Sequence, residues 1–292
     1  MKELKSEDIK SIFHKRDENS NKGNFGYVGI IGGCIEYSGA VKLANLSCSS
    51  LRAGCGVVRV IIPEEIENSV MPYLLEQTLF TIKSEKGHMI FSKEEIDKAL
   101  EKLKAVAIGM GWGECPDNEK ILSYILETKD IPVVIDADGL NTLAKMDKNI
   151  LNETKCKVIL TPHPKEFERI SGYDFKKILD NPEELAVKFA KQFNNVILLL
   201  KGHTTIVTNG EEGYLVKRGC AGMATAGSGD VLSGILVGLL GYSEPNVLTI
   251  AAGSYLAGLA GELAQKELND ISMKASDTIE KIPEAINEIR NK

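Results

Sequence analysis

Gly219-Cys-Ala-Gly222-Met-Ala-Thr225-Ala-Gly227-Ser-Gly229-Asp230-Val-Leu-Ser-Gly-Ile-Leu-Val-Gly-Leu-Leu240 joins a glycine-rich loop to an unbroken apolar run. The run over residues 231–240 reads as a buried helix, so the loop ends at a helix N-terminus. Free backbone N–H groups and the positive end of the helix dipole suit an anion such as phosphate there. Gly227 and Gly229 let the backbone turn tightly and come close to a ligand. Asp230 falls in the first turn, beside such an anion. A carboxylate against phosphate is repulsive and needs a reason. A chemical one is to take a proton from a hydroxyl that attacks phosphorus. The plainer reading is that Ser228 or Asp230 caps the helix, although capping requires no flanking glycines. The stretch is not a Walker A loop, because no Gly-Lys-Ser/Thr follows. Nor is it a dinucleotide fingerprint, because the third glycine is missing.

Outward from this loop, short apolar runs alternate with helical stretches. Tyr27-Val-Gly-Ile-Ile-Gly-Gly33 reads as a buried strand feeding a loop, and Ser38-Gly-Ala40 opens a small-residue helix to about Ala53. Residues 57–62 form a strand stopped by Pro63, and 78–82 another. Ser92 with Glu95 predicts a capping box on a helix ending near Leu103. Further strands are expected at 105–109, 132–135, 157–160 and 196–200, with helices at about 118–126 and 182–193. Residues 206–208 and 214–216 flank Asn209-Gly210 and predict an antiparallel hairpin. Three helices close the chain. Such alternation predicts an α/β fold, a mostly parallel sheet with helices on both faces, as one domain over residues 1–292. In these sheets ligands sit at the carboxyl ends of the strands. Every polar or glycine-rich cluster falls at one of those ends.

The 292 residues suffice for a large core, and the net charge of −6 disfavours nucleic acid or an anionic membrane as the main partner. Cys34, Cys48, Cys55, Cys115, Cys156 and Cys220 lack C-x-x-C spacing and read as reduced thiols of a cytoplasmic protein. The charged N-terminus has no signal-peptide core. Residues 247–264 come nearest to a membrane span, but Gly253, Gly258, Gly261 and Glu262 interrupt them, so no membrane contact is expected. These small-residue helices can pack within one subunit or between subunits; a homo-oligomer is expected.

Four further clusters carry possible chemistry. Asp136 and Asp138, two apart at a strand end, could point the same way and hold a magnesium shell or a ligand hydroxyl; alternatively Asp138 caps the next helix. His163 and Glu166 are too few for a metal site, and contact with substrate competes with an ordinary loop. Lys201, after four apolar residues, is either a phosphate partner or a solvated lysine at a strand edge. Trp112, the only tryptophan, either covers a base or packs in the core.

The set Lys22-Gly23, Gly32-Gly33, Tyr37-Ser38-Gly39-Ala40, Gly109-Met-Gly-Trp-Gly113, Asp136-Ala-Asp-Gly-Leu-Asn141, Thr161-Pro-His-Pro-Lys-Glu166, Lys201-Gly202 with Thr205, and Gly222-Met-Ala-Thr-Ala-Gly-Ser-Gly-Asp230 resembles the NAD(P)H-hydrate dehydratase family of the ribokinase-like superfamily. The likeness runs in order over roughly residues 10–265. It implies a three-layer ribokinase-like fold and a lyase of metabolite repair. Such enzymes dehydrate the S epimer of hydrated NADH or NADPH, using ADP or ATP with magnesium, and release AMP and phosphate when ADP is used. The resemblance implies that Ala40, Gly111, Gly113, His163 and Asp230 surround the hydrated nucleotide. It also implies that Lys201, Gly202, His203, Thr204, Thr205 and Gly229 surround the adenosine nucleotide, joined by Gly227 and Ser228 of the loop, with Asp230 catalytic. No metal ligand is assigned. Many members carry an epimerase domain in front; here a separate epimerase is expected to act on the same metabolite. Met110 and Ala226 stand where proline and glycine are common in the family. Two alternatives share the loop: a kinase for a small alcohol, and a non-catalytic nucleotide sensor.

Overall fold

The computed structural model describes residues 1–48 and 52–291. Its strands are β1 (Lys2–Glu3), β2 (Tyr27–Gly32), β3 (Val57–Pro63), β4 (Thr78–Ile82), β5 (Ser84–Glu85), β6 (His88–Met89), β7 (Ala105–Met110), β8 (Val133–Ile135), β9 (Val158–Leu160), β10 (Val196–Leu200), β11 (Thr205–Thr208) and β12 (Gly213–Val216). Ten of them make one sheet in the order β1-β12-β11-β10-β9-β8-β7-β2-β3-β4. Its pairs are parallel except β10–β11 and β11–β12, which form the hairpin predicted around Asn209-Gly210. β5 and β6 pair separately.

Strand alternation creates two cores. On β2, Val28 and Ile30 face one way and Ile31 the other; on β7, Ala105 and Ala107 oppose Val106 and Ile108. The first face carries the helices Ser38–Cys48, Ser228–Leu240, Val247–Leu268 and Ala275–Asn291. The second carries Lys93–Leu100, Pro116–Thr128, Asp138–Lys145, Pro164–Ser171 and Pro182–Ala190. Both faces are covered, so the strands are apolar throughout rather than alternating, as parallel strands require.

Several boundaries differ from the sequence reading. Pro63 ends β3 from within, opposite Ile82, where its missing N–H costs no more than a strand end. Only half of the Ser92 capping box forms: Ser92 accepts from the Glu95 N–H, but the Glu95 carboxylate accepts from the Lys83 N–H instead. That helix stops at Leu100, followed by Lys102 in a left-handed conformation. The helix opened by Ser38 is described to Cys48; the expected end near Ala53 falls beyond residues 49–51, which lie outside the described residues. Val247–Leu268 is long and apolar enough to cross a membrane, yet most of it is buried inside the protein, as a core helix.

The helix Ser228–Leu240 runs against Ser38–Cys48 at close range. A Cβ on Gly234 would overlap the Ala44 carbonyl and the Ser47 hydroxyl, whereas one on Gly39 would meet nothing. We expect Gly234→Ala to cost about 1–3 kcal/mol by overpacking, and Gly39→Ala to leave stability within about 0.5 kcal/mol. Chemical denaturation compares the two; equal stabilities would refute the close helix crossing.

Candidate active site

The glycine loop meets its helix without a side-chain cap. Gly227 is the N-cap, at φ +94°, and no side chain accepts from the first turn. The first ladder bond runs from the Val231 N–H to the Gly227 carbonyl at 3.0 Å. The capping reading of Ser228 and Asp230 therefore fails. The left-handed Gly227 turns the chain so that Ser228 and Asp230 lie inside the helix rather than before it. The Ser228 N–H donates weakly to the Thr225 carbonyl at 3.5 Å, and the amides of Gly229 and Asp230 are the ones the turn offers to an anion. The Ser228 hydroxyl is buried and has no partner among the described residues.

Asp230 lies in that first turn. Burial pushes its carboxyl up to about 7, helped by the charges of Asp136 and Asp138 and opposed by Lys201. A carboxyl near neutrality can both take and return a proton at physiological pH.

Asp136 and Asp138 do not point the same way. β8 ends at Ile135, and Ala137 takes φ +48°, which breaks the two-residue alternation. Asp136 turns inward, where Oδ1 accepts from Lys201 Nζ at 2.9 Å and Oδ2 from Ser233 Oγ at 2.8 Å. Asp138 does not cap; its Oδ2 accepts from the Gly113 N–H at 2.8 Å and so fixes the Gly109–Gly113 loop.

Lys201 is not a solvated strand-edge lysine. It stands at the end of β10, and besides Asp136 its ammonium lies 3.8 Å from Glu166 Oε2. Burial pulls it down, but Asp136 and Glu166 outweigh that and hold it above its usual value, so it is a cation. Glu166 itself is raised by burial. His163 caps the helix Pro164–Ser171: its Nδ1 accepts from the N–H groups of Lys165 (3.2 Å) and Glu166 (3.3 Å). Burial, with Lys201 and Arg169, lowers its pKa and keeps the ring neutral, as an accepting Nδ1 needs. The proton is thereby assigned to Nε2, which lies 3.5 Å from Glu166 Oε1.

Gly111, at φ +60°, leaves room for Ala40: a Cβ there would sit 2.8 Å from the Ala40 Cβ. Gly113 abuts His88 and Cys34 in the same way. Trp112 is buried in the core of the second face, so it packs there and covers no ligand.

A cleft of ≈ 690 Å³ runs along the first face from Lys201, Gly202, His203 and Thr205 to Ser228 and Gly229. Thr204 instead lines a neighbouring cleft of ≈ 560 Å³, on the far side of the same segment, with Pro164 and Leu200. The sequence reading missed Arg218, which closes the first cleft against Gly258 and Ser254. A Cβ on Gly258 would lie 2.6 Å from Arg218; the small-residue pattern of the Val247–Leu268 helix was its available signal. The sequence marks Asp136 as polar at a strand end but not where it points, and Ser233 carries no signal inside an apolar run. Among the described residues no three His, Cys, Asp or Glu side chains converge to hold a metal. A magnesium ion here fits as one carried largely by phosphate oxygens and water, its usual habit.

Comparison with known proteins decides the family. The NAD(P)H-hydrate dehydratase family model matches residues 28–284. The chain belongs to that family. It is 33% identical over 277 residues to a bifunctional NAD(P)H-hydrate repair enzyme of Moorella thermoacetica, covering 94% of this chain and 52% of that one. The chain thus spans about half the length of such bifunctional relatives. It is 32% identical over 258 residues to an ADP-dependent (S)-NAD(P)H-hydrate dehydratase of Neisseria meningitidis, covering 87% and 82% of the two chains. Among solved structures, an ADP/ATP-dependent NAD(P)H-hydrate dehydratase of Bacillus subtilis co-crystallised with ATP and Mg2+ superposes with a TM-score of 0.84 at 26% identity, covering 99% of this chain and 98% of that one. The ribokinase of Thermotoga maritima, at 17% identity and a TM-score of 0.55 over 90% and 100% of the chains, shares the fold alone. The fold is ribokinase-like and three-layered.

The raised Asp230 ties this family site to stability. Its folded value of about 7 lies above the ordinary 3.8, so the folded protein holds that proton more tightly than the unfolded chain. Its contribution to stability is full below the ordinary value, falls as pH rises towards about 7, and is flat above. Asp230→Asn should remove this slope and, at pH ~8, be more stable than wild type by more than about 1 kcal/mol. Urea unfolding at acid and alkaline pH checks it; an asparagine variant no more stable than wild type at pH ~8 would refute the raised carboxyl.

Proposed function

We propose that this chain dehydrates the S epimer of hydrated NADH and NADPH, with ADP (or ATP) as co-substrate and magnesium as its companion ion. The observation that carries the proposal is Asp230: a carboxyl near neutrality at an uncapped helix N-terminus, with the Lys201 cation close by. The kinship with proteins named for this reaction favours it over a kinase or a sensor.

The residues divide the work as follows. Asp230 accepts the proton of the substrate hydroxyl, whose oxygen attacks the terminal phosphorus of the nucleotide. The Gly227–Gly229 amides and the buried Ser228 hydroxyl face the charge that develops on the phosphoryl oxygens. Lys201 with Gly202, His203 and Thr205, which line the cleft with Ser228 and Gly229, holds the nucleotide, and Thr204 faces the neighbouring cleft. Ala40, Gly111, Gly113 and His163 shape the pocket for the hydrated ring. Magnesium, when bound with the nucleotide, neutralises phosphate charge. Once phosphorylated, the oxygen leaves as phosphate as the ring nitrogen's lone pair forms a C=N+ bond, and release of a proton from the adjacent ring carbon to solvent then restores the C=C double bond. With ADP the products are the repaired cofactor, AMP and phosphate.

We read residues 1–292 as one domain, a reading supported by the single ten-stranded sheet. We also place the protein in the cytoplasm, consistent with its six free cysteines, and read it as a homo-oligomer. Neither nucleic acid nor membrane is a partner in this reading, and an epimerase acts on the same metabolite.

The test mixes the protein with hydrated NADH, magnesium and either nucleotide, and follows absorbance of the reduced ring with free phosphate. Recovery of both is expected; a stable phosphorylated alcohol from a panel of alcohols, with no ring recovery, would identify a kinase instead. Asp230→Asn should lower turnover at least ~100-fold while still binding nucleotide; unchanged turnover would remove Asp230 as the base. Gly229→Ala should fold normally, since its Cβ would lie 3.5 Å from Asp136 and Lys201, an ordinary contact. It should nevertheless weaken nucleotide binding at least ~10-fold by filling the space of close backbone approach. Normal nucleotide affinity would refute that placement.

A further inference from the structure

Asp136 stands between Lys201 and the Ser228–Leu240 helix, and none of the steps above employs it. Its side chain is almost fully buried, at 2% exposure. Both oxygens are engaged, one by Lys201 and one by Ser233. Ser233 sits three residues after Asp230 on the same helix, so the two project from one face. Gly229 lies against the same point: a Cβ there would be 3.5 Å from both Asp136 Oδ2 and Lys201 Nζ. A carboxylate thus stands, tied from two sides, under the turn that carries the proposed base. Burying a charge is costly unless it is paired and hydrogen-bonded, and this one is both.

We propose that Asp136 is a positioning residue of the reaction: locked between Lys201 and Ser233, it holds its negative charge against the first turn of the Ser228–Leu240 helix and keeps Asp230 a proton acceptor. The proposal rests on the reading of Asp230 as the base. Proximity of two carboxylates makes the second harder to ionise and its anion more basic. The charged groups that act on Asp230 are Asp136 at the end of β8, Asp138 at the start of the next helix, and Lys201 at the end of β10. Glu166, from the Pro164–Ser171 helix, stands behind Lys201. Of these, Asp136 is the largest charge influence on Asp230, and it raises it. Lys201 serves twice: it partly offsets this influence, and it faces the segment proposed to hold the nucleotide. Ser233 fixes which way the carboxylate points.

The experiment titrates Asp230 directly in the ligand-free protein, by the 13C signal of its carboxyl, assigned by its disappearance in Asp230→Asn. Wild type should titrate near 7. Asp136→Asn keeps the size and can still accept from Ser233 but lacks the charge; the Asp230 midpoint should fall by about one pH unit or more. Ser233→Ala keeps the charge and should leave the midpoint within about 0.3 units. Lys201→Gln removes the opposing cation and should move the midpoint up, which provides a second arm if Asp136→Asn does not fold. The acid limb of the dehydration rate should shift in the same directions under saturating nucleotide. An Asp230 midpoint unmoved by Asp136→Asn, or by Lys201→Gln where the first variant is unfolded, overturns the proposal. Midpoints that move as expected in a wild-type protein unable to dehydrate the hydrate uphold the coupling and sink only the proposed reaction.

Discussion

The contact of the Asp136 carboxylate with Lys201 and Ser233 joins three elements that are far apart in the chain. Asp136 follows β8, Lys201 follows β10, and Ser233 belongs to the Ser228–Leu240 helix. A buried anion must find partners or cost several kcal/mol. Satisfying it therefore aligns the two strand ends with the helix that carries the glycine loop. The loop, its amides and Asp230 inherit their placement from that alignment.

The sheet makes this convergence possible. Parallel strands send all their carboxyl ends to one edge, and the crossover helices return the chain each time to the opposite edge. Polar clusters that are a hundred residues apart in sequence become neighbours there. Glycine at the crowded points lets backbones meet: Gly109 at φ +118° lies against the Asp136 carbonyl, and Gly234 lies against Ala44 and Ser47. A larger residue at Gly234 would push the helix off its neighbour.

Electrostatics then divides labour among like groups. Asp138 faces a backbone N–H in a loop, whereas Asp230 is buried among other carboxylates and is pushed up to about 7. Glu166 is also raised by burial, yet it accepts from the His163 N–H and so completes a helix cap. His163 remains neutral while it accepts two amides. Environment, rather than residue type, decides which carboxyl can serve as a base.

The sequence by itself determined the strand–helix alternation, the hairpin at Asn209-Gly210, and the glycine loop running into a buried helix. These are local signals: apolar runs, turn residues and helix breakers act over a few residues. It also carried the ordered motifs that mark the family. Only the tertiary structure decided the roles of side chains whose partners are remote. Asp136 and Asp138 look equivalent in the chain, yet the left-handed Ala137 sends one to Lys201 and the other to Gly113. Lys201 read as a strand-edge cation, and its carboxylate partner lies 65 residues earlier. Trp112 read equally as a ring over a base or as a core side chain, and packing decides for the core. Capping by Ser228 or Asp230 was the plainer alternative to an anion site, and a glycine in the left-handed region took that place instead. Propensity and spacing act along the chain, whereas the cost of burying charge is settled by whichever groups folding brings within reach.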